Sequence, residues 1–476
     1  MSTLRYQKRG GKYYVYEVYQ YWDKQLKKPR QKTTYLGTAE EPGGEYKKAG
    51  RILATLKLEK AILDFGDSYA INEIAKNMGL IEIIKNSFGD LSDSIMQLVC
   101  YQITEGSAMQ HCEDWNKGNI ANKLFPTALV KSQNISRLIN ELGKQEIQQK
   151  FFKNYITNFF SSRTGVLIDS TALPSAINTS INTFGYTSQG IKENVSCLML
   201  VDKVQKLPIY FRAFGGDISD NSTLKTTMKE IKQLGLIADS AILDAGYCSK
   251  ENLDYLCKEG VDFVTRLPKS HSIFFKLIDE SGIDQSLEHA VNYGGRHVFI
   301  VSKQQTIYGN NMYVHIILDA SKKAQDINTI LKTTLENDQT EETIIAVNKK
   351  IKYSGYFILL SKSEIKKNDI LPTYYMRQAI EQIFGFAKSN NTLLPLRVHT
   401  EQSINGYLMI VFLALIIFIT MRQKLQPHIM MDKALLQLRA LKAKIYEDTI
   451  IVQEPNKKIK DIAKALKIIM PITLGI

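Results

Sequence analysis

Residues 374–388 read YYMRQAIEQIFGFAK, and this stretch decides how the rest of the chain is interpreted. It holds no Pro and no β-branched run, and its one Gly is Gly385, so it predicts a helix. At about 100° per residue, Tyr374, Arg377, Glu381 and Lys388 fall within roughly 60° of one another on the circumference. Met376, Ile380, Ile383 and Ala387 form an apolar stripe beside them, with Phe384 at the seam. One face is therefore suited to burial. The next carries a phenol, a guanidinium, a carboxylate and an ammonium in a row. Alone, such a row is an ordinary solvated edge.

Two acids upstream change its meaning. Asp169 ends the apolar run VLIDST, and Asp244 ends AILDAGY. A strand-end Asp commonly just caps a turn. Together, however, these two flank a β-β-α-β unit, so their strands can be sheet neighbours, and the 374–388 helix can bring Glu381 to the same point. Three converging carboxylates repel one another unless cations neutralise them. Oxygen ligands without His or Cys suit Mg²⁺ or Mn²⁺. Two such ions about 3.5–4 Å apart support in-line attack on a phosphodiester. Arg377 and Lys388 could then hold phosphates, and Tyr374 could hydrogen-bond to one or stack.

The bulk properties agree with a nucleic-acid partner. The chain has 476 residues, enough for two or three domains, and a net charge of +13. Five scattered Cys (Cys100, Cys112, Cys197, Cys248, Cys257) contain no CxxC pair, which argues against a disulfide scaffold or zinc site and fits a reducing cytoplasm. The N-terminus MSTLRYQKRG lacks a secretory apolar core. Residues 406–421, GYLMIVFLALIIFITM, are shorter than the roughly 20 a membrane span needs, and read as a buried core helix.

Six segments follow from the pattern. Residues 1–42 are a basic, Tyr-rich β module, with nine Lys/Arg against Glu17 and Asp23 in the first 33 positions. Residues 43–160 read as helical and DNA-binding, including AGRILATLKLEKAILDF. Residues 161–268 run β-β-β-α-β-α-β, an α/β order whose first three strands are antiparallel. Residues 269–363 read as a β-rich insertion containing the strands HVFIVSK, MYVHIILDA, TIIAVNKKI and YFILLSKS and one helical piece. Residues 364–425 hold the opening helix and the apolar one. Residues 426–476 are a basic helical tail with a possible dimerisation role.

The spacing Tyr374-x2-Arg377-x3-Glu381-x6-Lys388 resembles the Y-R-E-K signature of cut-and-paste DDE transposases in the insertion-sequence family numbered four. IDST, the stretch FGYTSQGIKENVSCLMLVDKVQKLPIYFRAFGGDISDNSTL, LDAGYCSKENLDYLCKEGVDFVTRLP and LPLRVHTEQSINGYLMIVFLALII are similar to its other regions, so the resemblance covers residues 165–421. KYYVYEV and QKTTYLG resemble the start of one sub-branch.

The resemblance implies a ribonuclease H-like core, a mixed five-stranded sheet with helices, interrupted by the β-rich insertion. It implies that Asp169, Asp244 and Glu381 are catalytic and bind two Mg²⁺ or Mn²⁺, and that Tyr374, Arg377 and Lys388 contact transposon-end phosphates. The implied partners are double-stranded DNA (terminal inverted repeats and target) and a second copy of the chain, in the cytoplasm and on the nucleoid when DNA is bound. The implied reaction runs from end hydrolysis through a hairpin to strand transfer. One departure is Gly216-Asp217, where the family often has Gly-Asn; Asp217 and Asp220 are expected to serve turns or caps. A nuclease without strand transfer, a non-catalytic DNA-binding repressor and a basic peripheral membrane protein are the alternative readings.

Overall fold

The computed structural model describes residues 2–23, 28–48, 59–187, 190–335, 340–389, 393–394 and 396–475. These residues form two compact units, one drawn from 1–61 and 444–450, the other from 62–443 and 451–474.

The first unit is an antiparallel sheet in the order β1 (Ser2–Arg9), β2 (Lys12–Asp23), β3 (Lys28–Ala39), β4 (Lys47–Lys48). Gly10 and Gly11 turn β1 into β2 with φ of 55° and 82°, left-handed values that favour glycine. Most of the segment AGRILATLKLEKAILDF lies outside the described residues, and its end is a short strand, β5 (Ala61–Asp64).

Seven helices follow: α1 (Gly66–Asn77), α2 (Leu80–Phe88), α3 (Ser92–Thr104), α4 (Cys112–Lys117), α5 (Ala121–Leu124), α6 (Ser132–Leu142) and α7 (Gln145–Phe159). In α6, Ile135, Leu138, Ile139 and Leu142 repeat at helical spacing and are all buried.

The chain then enters a large sheet through β6 (Arg163–Pro174), β7 (Thr183–Thr187), β8 (Gly190–Asp202) and β9 (Pro208–Gly215). Helix α8 (Asp220–Gln233) leads to β10 (Ile237–Leu243), and α9 (Lys250–Lys258) to β11 (Asp262–Leu267). Helix α10 (Ile273–Asp279) precedes β12 (Ala290–Tyr293), β13 (Arg296–Ile307) and β14 (Asn310–Asp319). Helices α11 (Ala320–Leu335) and α12 (Glu341–Lys352) separate these from β15 (Tyr356–Ser361).

The sheet has ten strands in the order β12-β13-β14-β15-β11-β10-β6-β8-β7, with β9 also paired to β8. Its middle, β9-β8-β6-β10-β11, uses the five strands read from residues 161–268. The pairs β6–β8 and β8–β9 are antiparallel, whereas β6–β10 and β10–β11 are parallel. The strands of residues 269–363 do not form a separate sheet. They extend this one, because β15 pairs with both β11 and β14.

TIIAVNKKI, read as a strand, lies within α12. Its β-branched residues favour extension, but local signals oppose them. Thr340 accepts the Thr343 amide as an N-cap, Glu341 and Glu342 open the helix, and Lys349, Lys350 and Lys352 close it.

The chain ends with α13 (Lys367–Tyr375), α14 (Gln378–Ser389), α15 (Glu401–Leu425), α16 (Met431–Arg439), β16 (Lys442–Ile445), β17 (Thr449–Val452), α17 (Lys457–Leu466) and β18 (Thr473–Gly475). Three short strands therefore interrupt the tail that reads as helical. Helix α15 is long and apolar enough to cross a membrane, yet 89% of its most apolar window is buried within the protein. It begins with a Thr400–Ser403 capping box and packs on α3, α6 and β9. Its crossing with α6 is close: a Cβ on Gly406 would stand 1.7 Å from the Ile139 carbonyl oxygen, and one on Gly143 1.7 Å from that of Gln402. Phe151, Phe152, Tyr155, Phe211 and Phe412 pack ring against ring where α7, β9 and α15 meet.

Candidate active site

Asp169 lies on β6 just past Val166, Leu167 and Ile168, all fully buried. Strand β10 runs parallel beside it, with Leu243 in register with Ile168. Asp244, the next residue on that strand's path, therefore emerges level with Asp169. Only Asp244 stands at a strand end: β10 stops at Leu243, whereas β6 runs on to Pro174 paired with β8, so Asp169, read from sequence as a strand-end acid, lies within its strand beside the end of its parallel neighbour.

The 374–388 segment is not one helix. It breaks at Met376–Arg377, between α13 and α14. The amides of Met376, Arg377, Ala379 and Ile380 bond to carbonyls three residues back, a tighter winding than the α-helix. Beyond the break the expected stripe is buried: Ile380, Ile383, Phe384 and Ala387 line the inner face of α14, which lies against β6 and β8.

The break sets Arg377 among the acids. Its Nη2 is 3.2 Å from Asp169 Oδ2 and 3.3 Å from Asp244 Oδ2, and its Nη1 is 3.0 Å from Glu381 Oε1. The Tyr374 hydroxyl donates to Asp244 Oδ1 at 3.4 Å, and its ring lies 5.7 Å from the guanidinium carbon. Tyr374, Asp169, Asp244, Arg377 and Glu381 thus meet at one place. Lys388 sits apart from them, its Nζ donating to Thr171 Oγ1 at 2.6 Å and to the Ala172 carbonyl at 2.9 Å. Burial lowers its pKa.

The electrostatics follow from depth. The Asp169 and Arg377 side chains are 14% and 13% exposed, those of Asp244 and Glu381 40% and 49%. Burial pushes the Asp169 carboxyl up to about 7; Arg377 opposes that rise, while Asp244 and Asp220 add to it. Burial works against the charge on Arg377, but Asp244 and Asp169 outweigh it and raise its pKa. Among the described residues, the Arg377 Nε is buried without a hydrogen-bond partner.

Asp220, expected to serve a turn or cap, belongs to this cluster instead. The Ser170 hydroxyl, next to Asp169, donates to Asp220 Oδ1. Burial raises the Asp220 pKa, and Asp244 raises it further. The loop after Asp244 passes so close that a Cβ on Gly246 would be 2.8 Å from Asp220 Oδ2. An acid at a helix start was the only local signal, and that is the ordinary capping pattern. Asp217 does serve a turn: Thr183 Oγ1 donates to its Oδ1 at 2.6 Å and accepts its amide at 3.0 Å.

The donor chemistry suits a hard divalent cation, since every candidate ligand is a carboxylate and their formal charge exceeds that of the one guanidinium between them. Among the described residues, no three His, Cys, Asp or Glu side chains form a group that could hold one ion. The carboxylates are arrayed around Arg377, and closing on a metal would require them to leave it. A separate cavity of about 770 Å³, lined by Gln110, Asn140, Arg397 and His399 among others, includes none of these acids.

A family model described as the transposase DDE domain matches residues 160–417, more than half of the chain. No curated protein matches. Among solved structures, the cryo-EM structure of the piggyBac transposase synaptic complex with hairpin DNA is similar, with 11% identity, 79% of each chain covered and a TM-score of 0.41.

Proposed function

The chain belongs to the DDE-domain transposases, and from that premise we propose that it performs cut-and-paste DNA transposition through Asp169, Asp244 and Glu381. The reading treats β9-β8-β6-β10-β11 as a ribonuclease H-like core and the 374–388 segment as the Y-R-E-K signature of the insertion-sequence family numbered four. One observation carries it: acids at 169, 244 and 381, distant in sequence, all lie within 3.3 Å of the same guanidinium.

In this reading two Mg²⁺ or Mn²⁺ ions, held by the three acids, would supply Lewis-acid activation of the nucleophile and the leaving oxygen. The chain's own residues do the rest. Asp169 and Asp244, on neighbouring strands, define the point where a phosphodiester must lie. Glu381 closes it from the helix side. Arg377, paired here with all three acids, would be freed if they held cations, and its fork suits a DNA phosphate. The Tyr374 hydroxyl, on Asp244 here, would be a donor for the same phosphate. Lys388 stays on the β6 backbone and adds positive potential nearby.

Water attack at the transposon end breaks a phosphodiester and frees a 3′-hydroxyl. That hydroxyl displaces the opposite strand to give a hairpin, a second hydrolysis opens it, and the 3′-end then attacks target DNA. The protein acts as a homodimer pairing two ends, in the cytoplasm and on the nucleoid.

The test is incubation with Mg²⁺ and DNA bounded by the inverted repeats that flank the coding sequence. Excised DNA, hairpins and joined products are expected. Hydrolysis without joining would replace the reading with that of a nuclease. Binding without cleavage would replace it with that of a repressor.

A further inference from the structure

The N-terminal sheet exposes aromatic and basic side chains together. The last described pairing of β1 is Ser2 with Tyr19, so beyond it β2 and β3 continue as a two-stranded ribbon among the described residues. The register sets Tyr19 opposite Lys32 and Tyr21 opposite Arg30. With period-two alternation these four share one face, and the Tyr19 and Tyr21 rings stack with centroids 6.3 Å apart. Trp22, on the other face, is opposite Pro29. Tyr19, Tyr21 and Trp22 remain 51%, 41% and 61% exposed, and Lys28, Arg30 and Lys32 are exposed as well. Rings left in water at the end of a strand pair, the two tyrosines each opposite a cation, are costly for a fold that gains nothing from them.

We propose that this ribbon is a double-stranded DNA-binding element that enters the major groove with the Tyr19–Tyr21–Arg30–Lys32 face toward the duplex. The major groove is about 12 Å wide and admits a two-stranded ribbon. Arg30 and Lys32 supply charge for phosphates or guanine edges. The tyrosines supply flat contacts and hydroxyl donors for the backbone. Charge decides between occupants: the first 33 residues carry nine Lys/Arg against two acids, which suits a polyanion and opposes pairing with a second basic copy. That the duplex is a transposon end rests on the proposed function; that the ribbon binds duplex DNA does not.

The test uses the full chain in EDTA, where cleavage cannot contribute. Binding to a terminal-repeat duplex and to a scrambled duplex is measured across a salt series. The double variant Arg30→Ala/Lys32→Ala should bind both duplexes roughly tenfold more weakly, with the slope of log K against log salt shallower by about 2. Tyr21→Ala should lose affinity with the slope retained. Thr33→Ala, on the opposite face, is the control, and melting curves exclude unfolding. Wild-type affinity and slope in the double variant would overturn the proposal, as would changed self-association with unchanged DNA binding. A protein that binds through the ribbon but never cuts would sink the transposase reading and leave this one standing.

Discussion

Arg377 shows how one residue can hold a site together. It is the common counter-ion of Asp169, Asp244 and Glu381, and each acid would otherwise be buried or crowded without compensation. Glu381→Gln keeps the shape of the side chain and removes a charged ligand. It should bind end DNA as wild type does while cleavage falls on the order of 10⁴-fold, measured on a labelled duplex with Mg²⁺. Normal cutting by that variant would remove Glu381 from the site. Asp220→Asn tests a subtler role. If Asp220 positions Asp169 through Ser170, the variant should need about 10- to 100-fold more Mg²⁺ for half-maximal cleavage. An unchanged Mg²⁺ curve would return Asp220 to simple capping.

His315 makes a pH prediction. It is buried between Ser302 and Ser361, with Nδ1 2.7 Å from Ser302 Oγ and Nε2 3.0 Å from Ser361 Oγ. Ser361 donates its own proton to the Ser363 carbonyl, so Nε2 donates to Ser361 Oγ, and in the neutral ring Nδ1 accepts from Ser302. Burial lowers its pKa to about 4 from 6.5. Between those values the unfolded chain binds more protons, so stability falls as pH drops through this window, by about 3 kcal/mol in all. Urea melts from pH 7 to pH 4 should show that slope, and His315→Gln should flatten it whatever its absolute stability.

At the scale of elements, the apolar period of residues 380–387 was legible because it repeats at helical spacing. The break at Met376–Arg377 was not. No Pro or Gly stands there, and on its two sides Tyr374 reaches Asp244 while α14 lies on β6 and β8. The glycines of two helices give a paired prediction. Gly406 touches Ile139 across the α6–α15 crossing, so Gly406→Ala should destabilise by about 1–3 kcal/mol or more. Gly385 lies within α14 with none of the described residues' atoms within 4 Å of a Cβ, so Gly385→Ala should stabilise by about 0.5–1 kcal/mol. Thermal melts of the two variants should move in opposite directions; a common direction would contradict one of these packings. Helix α12 teaches the converse lesson. Its β-branched residues mislead, and its caps and terminal charges correct the reading only when weighed together.

At the scale of the molecule, the strands of residues 269–363, read as a β-rich insertion, join the sheet built by residues 161–268. A strand's partners are set by edges and register, which sequence periodicity does not encode, and β15 pairs on both sides. Strands β6, β10 and β11 lie inside that sheet and should show the slowest amide exchange, while β7 and β12 at its ends exchange much faster. Equal protection throughout would deny the single sheet.

Sequence alone determined which residues are chemically able to act and where the five strands read from residues 161–268 lie, because both are local properties of side-chain type and period. Asp169, Asp244 and Glu381 could be named that way, as could the buried character of α15. Only the tertiary structure decided that these acids share one guanidinium, that Asp220 joins them through Ser170, and that the insertion strands extend the main sheet. Each of those depends on contacts between residues far apart in the chain, and their geometry is fixed by packing and register rather than by any neighbour in sequence.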